Sequence, residues 1–170
     1  MGVYKSFPAA AASCMPRAEW PGGVEAVKGS FPCAGRLGSP RMLVQGILNP
    51  NLLSLLARVR HTNMLVIADR GFPFWPGIET VDISLVDGVP TVLQVLAAVR
   101  ANFVVAEAYM AQEFLQANSP RVRQAFAAGL KGARVTHEPH VVFKRRIPGA
   151  IGLIRTGDTV QYANLVLVSG

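Results

Sequence analysis

Alternation of apolar strand-like runs with helix-like patterns predicts an α/β domain of three layers, helices covering both faces of a sheet. Three observations carry that expectation. Residues 64–68, MLVIA, form an unbroken apolar run with two β-branched members and no alternation, as in a strand buried on both faces. Helix-start signals of the cap-then-proline kind stand at Asn49–Pro50 and Ser119–Pro120. The chain of 170 residues is long enough for one domain with a substantial core.

Taken in order, Asn49 caps a helix with Pro50 at its first position, and LLSLLARVR carries it to Arg60. The strand at 64–68 follows. IETVDIS, residues 78–84, alternates apolar and polar side chains and reads as a strand exposed on one face. Pro90 opens the helix TVLQVLAAVR. NFVVAEAYMAQEFLQ begins as a short strand and passes into helix, and SPRVRQAFAAGL is a helix capped by Ser119. ARVT is a strand and PHVVFKRR a short helix. AIGLIRTG and ANLVLVS close the chain as two strands separated by a turn at Gly157 and Asp158.

Residues 1–41 differ in composition. They hold Pro8, Pro16, Pro21, Pro32 and Pro40 with no sustained periodicity, so an unstructured extension, or the product of an upstream-extended gene model, is expected there. The organised domain is expected to span 42–170, opening at Met42. Both cysteines, Cys14 and Cys33, fall in the first segment. The main body therefore has no thiols for a disulfide framework, a zinc site or cysteine nucleophilic chemistry, and a reducing, cytoplasmic setting is expected.

The formal net charge is +7, but the basic residues are scattered apart from Lys144, Arg145 and Arg146, which read as a solvated helix face. No recognised nucleic-acid-binding motif accompanies the charge, and no nucleic-acid partner is expected. The hydrophobic share is 51% and the mean hydropathy +0.32. No run approaches the roughly 18 apolar residues of a membrane helix, so the apolar excess is assigned to subunit contacts rather than to a membrane. No GxxxxGK[ST] loop, GxGxxG turn, HExxH pair or GxSxG elbow is present, and no cofactor or metal is expected.

The chemistry concentrates in HTNMLVIADRGFPFWP, residues 61–76. Asp69 falls at the carboxyl end of the buried strand, where open α/β sheets gather ligand-binding groups, and Gly71 lets the chain turn at once. His61 precedes the same strand and is able to exchange a proton near neutral pH. The plainer alternatives are a turn or capping role for Asp69 and a helix C-terminal place for His61. Phe74 and Trp75 suit either stacking on a sugar face or packing in the core or a subunit interface.

Together, ILNPNLLSLLARVRHTN, LVIADRGFP, VDISLVDGVP with LQVL following, and IRTGDTVQYANLVL resemble, in order and spacing, the RbsD/FucU family of D-ribose pyranases and L-fucose mutarotases. The resemblance covers nearly all of 42–170. The terminal YAN with the early histidine and the ADxGxP-type loop lean to the ribose side. It implies an RbsD-like fold with a central mixed sheet flanked by helices, and a cofactor-free isomerase that opens and recloses a monosaccharide ring. His61 matches the histidine regarded as proton donor. Asp69 matches a sugar-binding carboxylate, and Tyr162 and Asn164 match sugar-contacting groups. For the remaining histidine, counting back from IRTG through Phe143 selects His140, while the Thr-His-Glu string favours His137; His140 is taken. The resemblance further implies ring-like homo-oligomers, commonly decamers, with sites at or near subunit boundaries. Arg70 stands where the family usually has alanine, and FPFWP is more aromatic than in typical ribose members, a mouth suited to a different or a phosphorylated sugar. A non-catalytic sugar-binding or regulatory protein with the same pocket is the alternative reading.

Overall fold

A computed structural model describes residues 46–170. The extension expected at residues 1–41, with both cysteines, and Met42 lie outside the described residues. In chain order the elements are α1 (Pro50–Leu56), β1 (Met64–Ala68), β2 (Thr80–Asp82), α2 (Val92–Arg100), β3 (Val105–Ala111), α3 (Glu113–Ala117), α4 (Pro120–Gly129), β4 (Arg134–Glu138), α5 (His140–Arg146), β5 (Ala150–Arg155) and β6 (Leu165–Ser169). A 3₁₀ turn, Ile147–Gly149, joins α5 to β5. Among the described residues no helix is long and apolar enough to cross a membrane.

The strands form one mixed sheet in the order β2-β5-β1-β6-β3-β4. β1, β2 and β5 are mutually parallel, β3 and β4 are parallel, and β6 runs antiparallel to both β1 and β3. Five strands therefore point one way and β6 the other. One edge of the sheet collects the carboxyl ends of β1–β5 with the amino end of β6.

β1 explains why both faces are covered. Its Leu65 and Ile67 face one cluster with Leu52, Leu55, Val95, Leu96 and Phe126, under α1, α2 and α4. Its Val66 and Ala68 face a second cluster with Phe72, Phe143, Ile147 and Leu153, under α5. All four β1 side chains are 0–1% exposed; full burial of each Leu, Ile or Val contributes about 1.5–3 kcal/mol. Gly152 on β5 lets α1 lie close to the sheet: a Cβ there would stand 2.4 Å from Leu55 Cδ1.

Several expectations are corrected. α1 stops at Leu56 rather than Arg60. Only Leu52 and Leu55 of that helix are buried, and beyond them the chain turns, the Asn63 side chain accepting the Arg60 N–H (2.8 Å). His61 thus lies in a turn, not at a helix end. α2 begins at Val92 with Thr91 as its cap and a reciprocal Thr91–Gln94 capping box, so Pro90 precedes the helix rather than opening it. AEAYMA, expected to drift into helix, is strand throughout β3. Alanine and glutamate favour helix, but pairing on both sides, with β4 and β6, overrides that weak preference. The 78–84 strand shortens to Thr80–Asp82, while the 133–136 strand runs on to Glu138. β6 begins at Leu165, leaving Ala163 and Asn164 in the preceding loop.

Candidate active site

The common edge of the sheet gathers residues far apart in sequence. Asp69 follows β1, Thr156–Asp158 follow β5, Pro139 and His140 follow β4, and Asn164 precedes β6. Such an edge is where α/β sheets place ligands. A cavity of about 490 Å³ opens there, its wall including Asp69, Arg70, His140, Lys144, Tyr162 and Asn164.

Asn164 fixes Asp69 across 95 positions of sequence. Its side-chain oxygen accepts the Asp69 backbone N–H (2.8 Å) while its amide nitrogen donates to Asp69 Oδ2 (2.9 Å). Asp69 Oδ1 accepts the Gly71 N–H (3.0 Å), so the carboxylate also shapes its own turn. Burial pushes the Asp69 carboxyl above the usual carboxylate range, the bonds from Asn164 and Gly71 hold it back, and the neighbouring Asp158 charge pushes it further up.

Asp158 is 3% exposed and fully bonded, Oδ2 accepting the Val92 N–H (2.8 Å) and Oδ1 the Val160 N–H (2.9 Å). It ties the 156–164 loop to the first turn of α2. Next to it Gly157 is pressed against the 85–89 hairpin; a Cβ there would stand 2.3 Å from the Val86 carbonyl oxygen. Only glycine fits that approach.

His140 is oriented by its backbone and by its neighbours. Pro139 offers α5 no side-chain cap, and the Glu113 carboxylate accepts the His140 N–H instead (3.0 and 3.1 Å). The Tyr162 ring meets the imidazole edge-on at 5.1 Å. Tyr162 has φ of 57°, a left-handed conformation unusual for an aromatic residue and a form of strain found at functional sites. His140 Nε2 is buried without a hydrogen-bond partner among the described residues. Desolvation, with the Lys144 charge second, holds the imidazole below the usual histidine range, against the opposing pull of Glu113 and Asp69. A neutral imidazole with one free nitrogen suits a sugar hydroxyl.

Asp69, His140, Tyr162 and Asn164 therefore line one cavity. His61 does not join them within a chain. It is exposed at the amino end of β1, while Asp69 follows the carboxyl end; four rises along the strand alone separate the two by about 13 Å. His137 points elsewhere, into a separate apolar cavity of about 430 Å³ with Met110, Phe114, Phe126 and Leu130. Phe74 is 72% exposed and Trp75 packs against the second core cluster, so neither lines the wall; Phe72 and Pro73 do.

The basic cluster on α5 is a solvated face only at Arg145. Lys144 lines the cavity, one turn beyond His140 on the same side of the helix. Arg146 lies over the Tyr109 ring (3.6 Å) and grips Glu138 through two bonds of 2.6 and 2.9 Å. Sequence reasoning also missed Asp158, read only as a turn residue. The i, i+4 spacing of His140 and Lys144 was the available signal for the lysine; the Asp158 carboxylate shows locally only its turn bond from Val160, and its other partner, Val92 of α2, is distant in sequence.

Residues 42–170 match the model of the RbsD / FucU transport protein family. The chain belongs to that family. D-ribose pyranase of Laribacter hongkongensis is 41% identical over 129 residues, covering 76% of this chain and 98% of the relative. D-ribose pyranase of Chromobacterium violaceum is 39% identical with the same coverage. Among solved structures, Bacillus subtilis RbsD complexed with D-ribose superposes with a TM-score of 0.70 at 31% identity, over 76% of this chain and 98% of that one. The fucose mutarotase of Streptococcus pneumoniae in complex with L-fucose shares the fold, with a TM-score of 0.61 at 20% identity over 72% of this chain and 92% of that one. The RbsD/FucU fold is thus the mixed sheet described above, with Asn164 and Asp69 at its carboxyl edge.

Proposed function

We propose that this chain is a cofactor-free isomerase, a monosaccharide pyranase/mutarotase that interconverts ring forms or anomers of a ribose- or fucose-like sugar. The observation that carries the reading is the convergence of the Asn164–Asp69 pair and the unpartnered His140 nitrogen on one monosaccharide-sized cavity, in a chain whose relatives are named D-ribose pyranase. The non-catalytic sugar-binding alternative has no comparable support.

Ring opening needs an acid at the ring oxygen and a base at the anomeric hydroxyl. The acid protonates the ring oxygen as the bond from it to the anomeric carbon breaks, and the base takes the hydroxyl proton, leaving an open-chain carbonyl. Reclosure through another hydroxyl changes ring size, and reclosure on the opposite carbonyl face changes the anomer. Asp69, raised toward the protonated form by burial, holds or relays a hydroxyl proton. Asn164, Tyr162 and the neutral His140 hold the other hydroxyls.

His61 serves as the acid from a second copy of the chain. An exposed imidazole at the far end of β1 has no route to the cavity of its own subunit, so a shared site joins the two ends. Exposed Leu85, Val86 and Val89, on the hairpin beside the cavity, offer apolar surface for such a copy and support a homo-oligomer, a decamer on the family's pattern. Saturation-transfer NMR on D-ribose tests the reading. Acceleration of ring-form exchange is expected, with His61→Ala reducing it to near the uncatalysed rate; wild-type exchange by that variant removes His61 as the acid. Sugar binding with only background exchange would favour the binding-only alternative.

A further inference from the structure

We infer that the second cavity, between α3, α4 and the edge strand β4, is a binding site for a small carboxylic acid with an apolar body, whose carboxylate pairs with Arg123 and Lys131 at the rim. The two cavities share no lining residue. The inference therefore stands apart from the isomerase reading.

The floor of this cavity is core. Met110, Phe114, Phe126 and Leu130 are each 1–2% exposed, and they bound a cavity of about 430 Å³, within the range of small-molecule sites. Small residues keep the wall between α4 and β4 open. Ala127, Gly132 and Ala133 stand where longer side chains would fill it, and Gly132, with φ of 92°, turns the chain from α4 toward β4. β4 is the last strand of the sheet, so among the described residues no neighbouring strand closes its far side. An apolar body seated here removes hydrocarbon surface from water on both partners.

The rim carries charge of one sign. Arg123 and Lys131 line the cavity together with Gln124 and His137, and no carboxylate does. Arg123 donates one N–H to the Leu115 carbonyl (3.1 Å), which holds the guanidinium at the cavity and leaves most of its donors for a ligand. Neither Arg123 nor Lys131 joins an ion pair among the described residues. The carbonyls that end α4 would repel an anion, but Arg100 donates to those of Gly129 and Lys131 and offsets that repulsion.

Two cations without an acid set the sign of the ligand's head, and the floor sets the nature of its body. A carboxylate suits the head, because a planar guanidinium can engage both of its oxygens. A sugar does not suit the floor, where its hydroxyls would lose their hydrogen bonds against Phe114 and Leu130.

The test uses the assembled full-length protein with octanoate, 1-octanol and octylamine as probes, reading affinity by calorimetry. Octanoate is expected to bind saturably and about tenfold or more tightly than either of the others, the margin shrinking as ionic strength rises. Arg123→Gln and Lys131→Gln should each weaken octanoate binding by about threefold and leave 1-octanol unchanged. Ala127→Leu keeps a strong helix former on α4 and puts branched hydrocarbon into the cavity, so it should abolish binding of both. Thermal unfolding checks that each variant folds, and D-ribose exchange should stay at the wild-type rate in all three. Absence of saturable octanoate binding overturns the inference, as does equal affinity for octanoate and 1-octanol. Octanoate affinity unchanged in both glutamine variants overturns it too. So does competition between octanoate and D-ribose, which would put octanoate in the carboxyl-edge cavity.

Discussion

The two ends of β1 differ in how they are built. At the carboxyl end, Asp69 is locked by Asn164 and shares its cavity with α5 and the 158–164 loop, so three separated segments contribute to one cavity. At the amino end, His61 is exposed in a turn that is tied to the close of β6, where the Thr62 N–H donates to the Ser169 carbonyl (3.0 Å). One end is a prearranged site, and the other offers an exposed imidazole with no site. The difference teaches that a single subunit holds both halves of the proposed machinery but points them apart, which is why the proposed mechanism calls on a second copy of the chain.

The largest effect should come from breaking either half. His61→Ala and Asp69→Ala are each expected to slow sugar exchange by about 10²-fold or more. Mixing the two inactive proteins under conditions that exchange subunits should restore part of the rate, because some sites then receive one intact residue from each chain. No recovery on mixing would confine the site to one subunit.

The prearranged end can be broken by geometry. Gly157→Ala puts a methyl against the Val86 and Val89 carbonyls and should cost about 1–3 kcal/mol of stability, read as a lower denaturant midpoint. Asn164→Ala should also cost about 1–3 kcal/mol, since it strips a partner from the Asp69 N–H and carboxylate. It is expected to weaken sugar binding as well; unchanged sugar affinity would show that Asp69 needs no clamp.

A smaller effect depends on pH. His140 is held below its ordinary value chiefly by desolvation, so the unfolded chain binds its proton more readily. The stability this contributes is fully present above the unfolded value, near pH 6.5, and is lost as pH falls toward the folded value. The fall in Tm between pH 7 and pH 5 should therefore be shallower in His140→Gln than in the wild type, and an equal fall would remove His140 as a source. The smallest effect is expected at His137, in the separate apolar cavity: His137→Ala should keep exchange within about twofold of wild type.

Much of the fold was legible because its signals are local. The run at 64–68 declared a strand covered on both sides, and the caps at Asn49 and Ser119 declared where α1 and α4 begin. β3 misled, since alanine and glutamate speak for helix while the two neighbouring strands that overrule them are distant in sequence. The site divides in the same way. Asp69 was visible from its strand-end position, and Tyr162, Asn164 and His140 from their motifs, whereas Lys144 hid inside a basic cluster and Asp158 inside a turn.

By itself the sequence determined the order and kind of most elements, because hydrophobic period and capping chemistry act over a few residues and are written wherever those residues occur. Only the tertiary structure decided that β6 enters antiparallel between β1 and β3, that Asn164 thereby meets Asp69, and that His61 and Asp69 face opposite edges. Those facts follow from strand direction and register, which are set by the packing of the whole sheet rather than by any one segment.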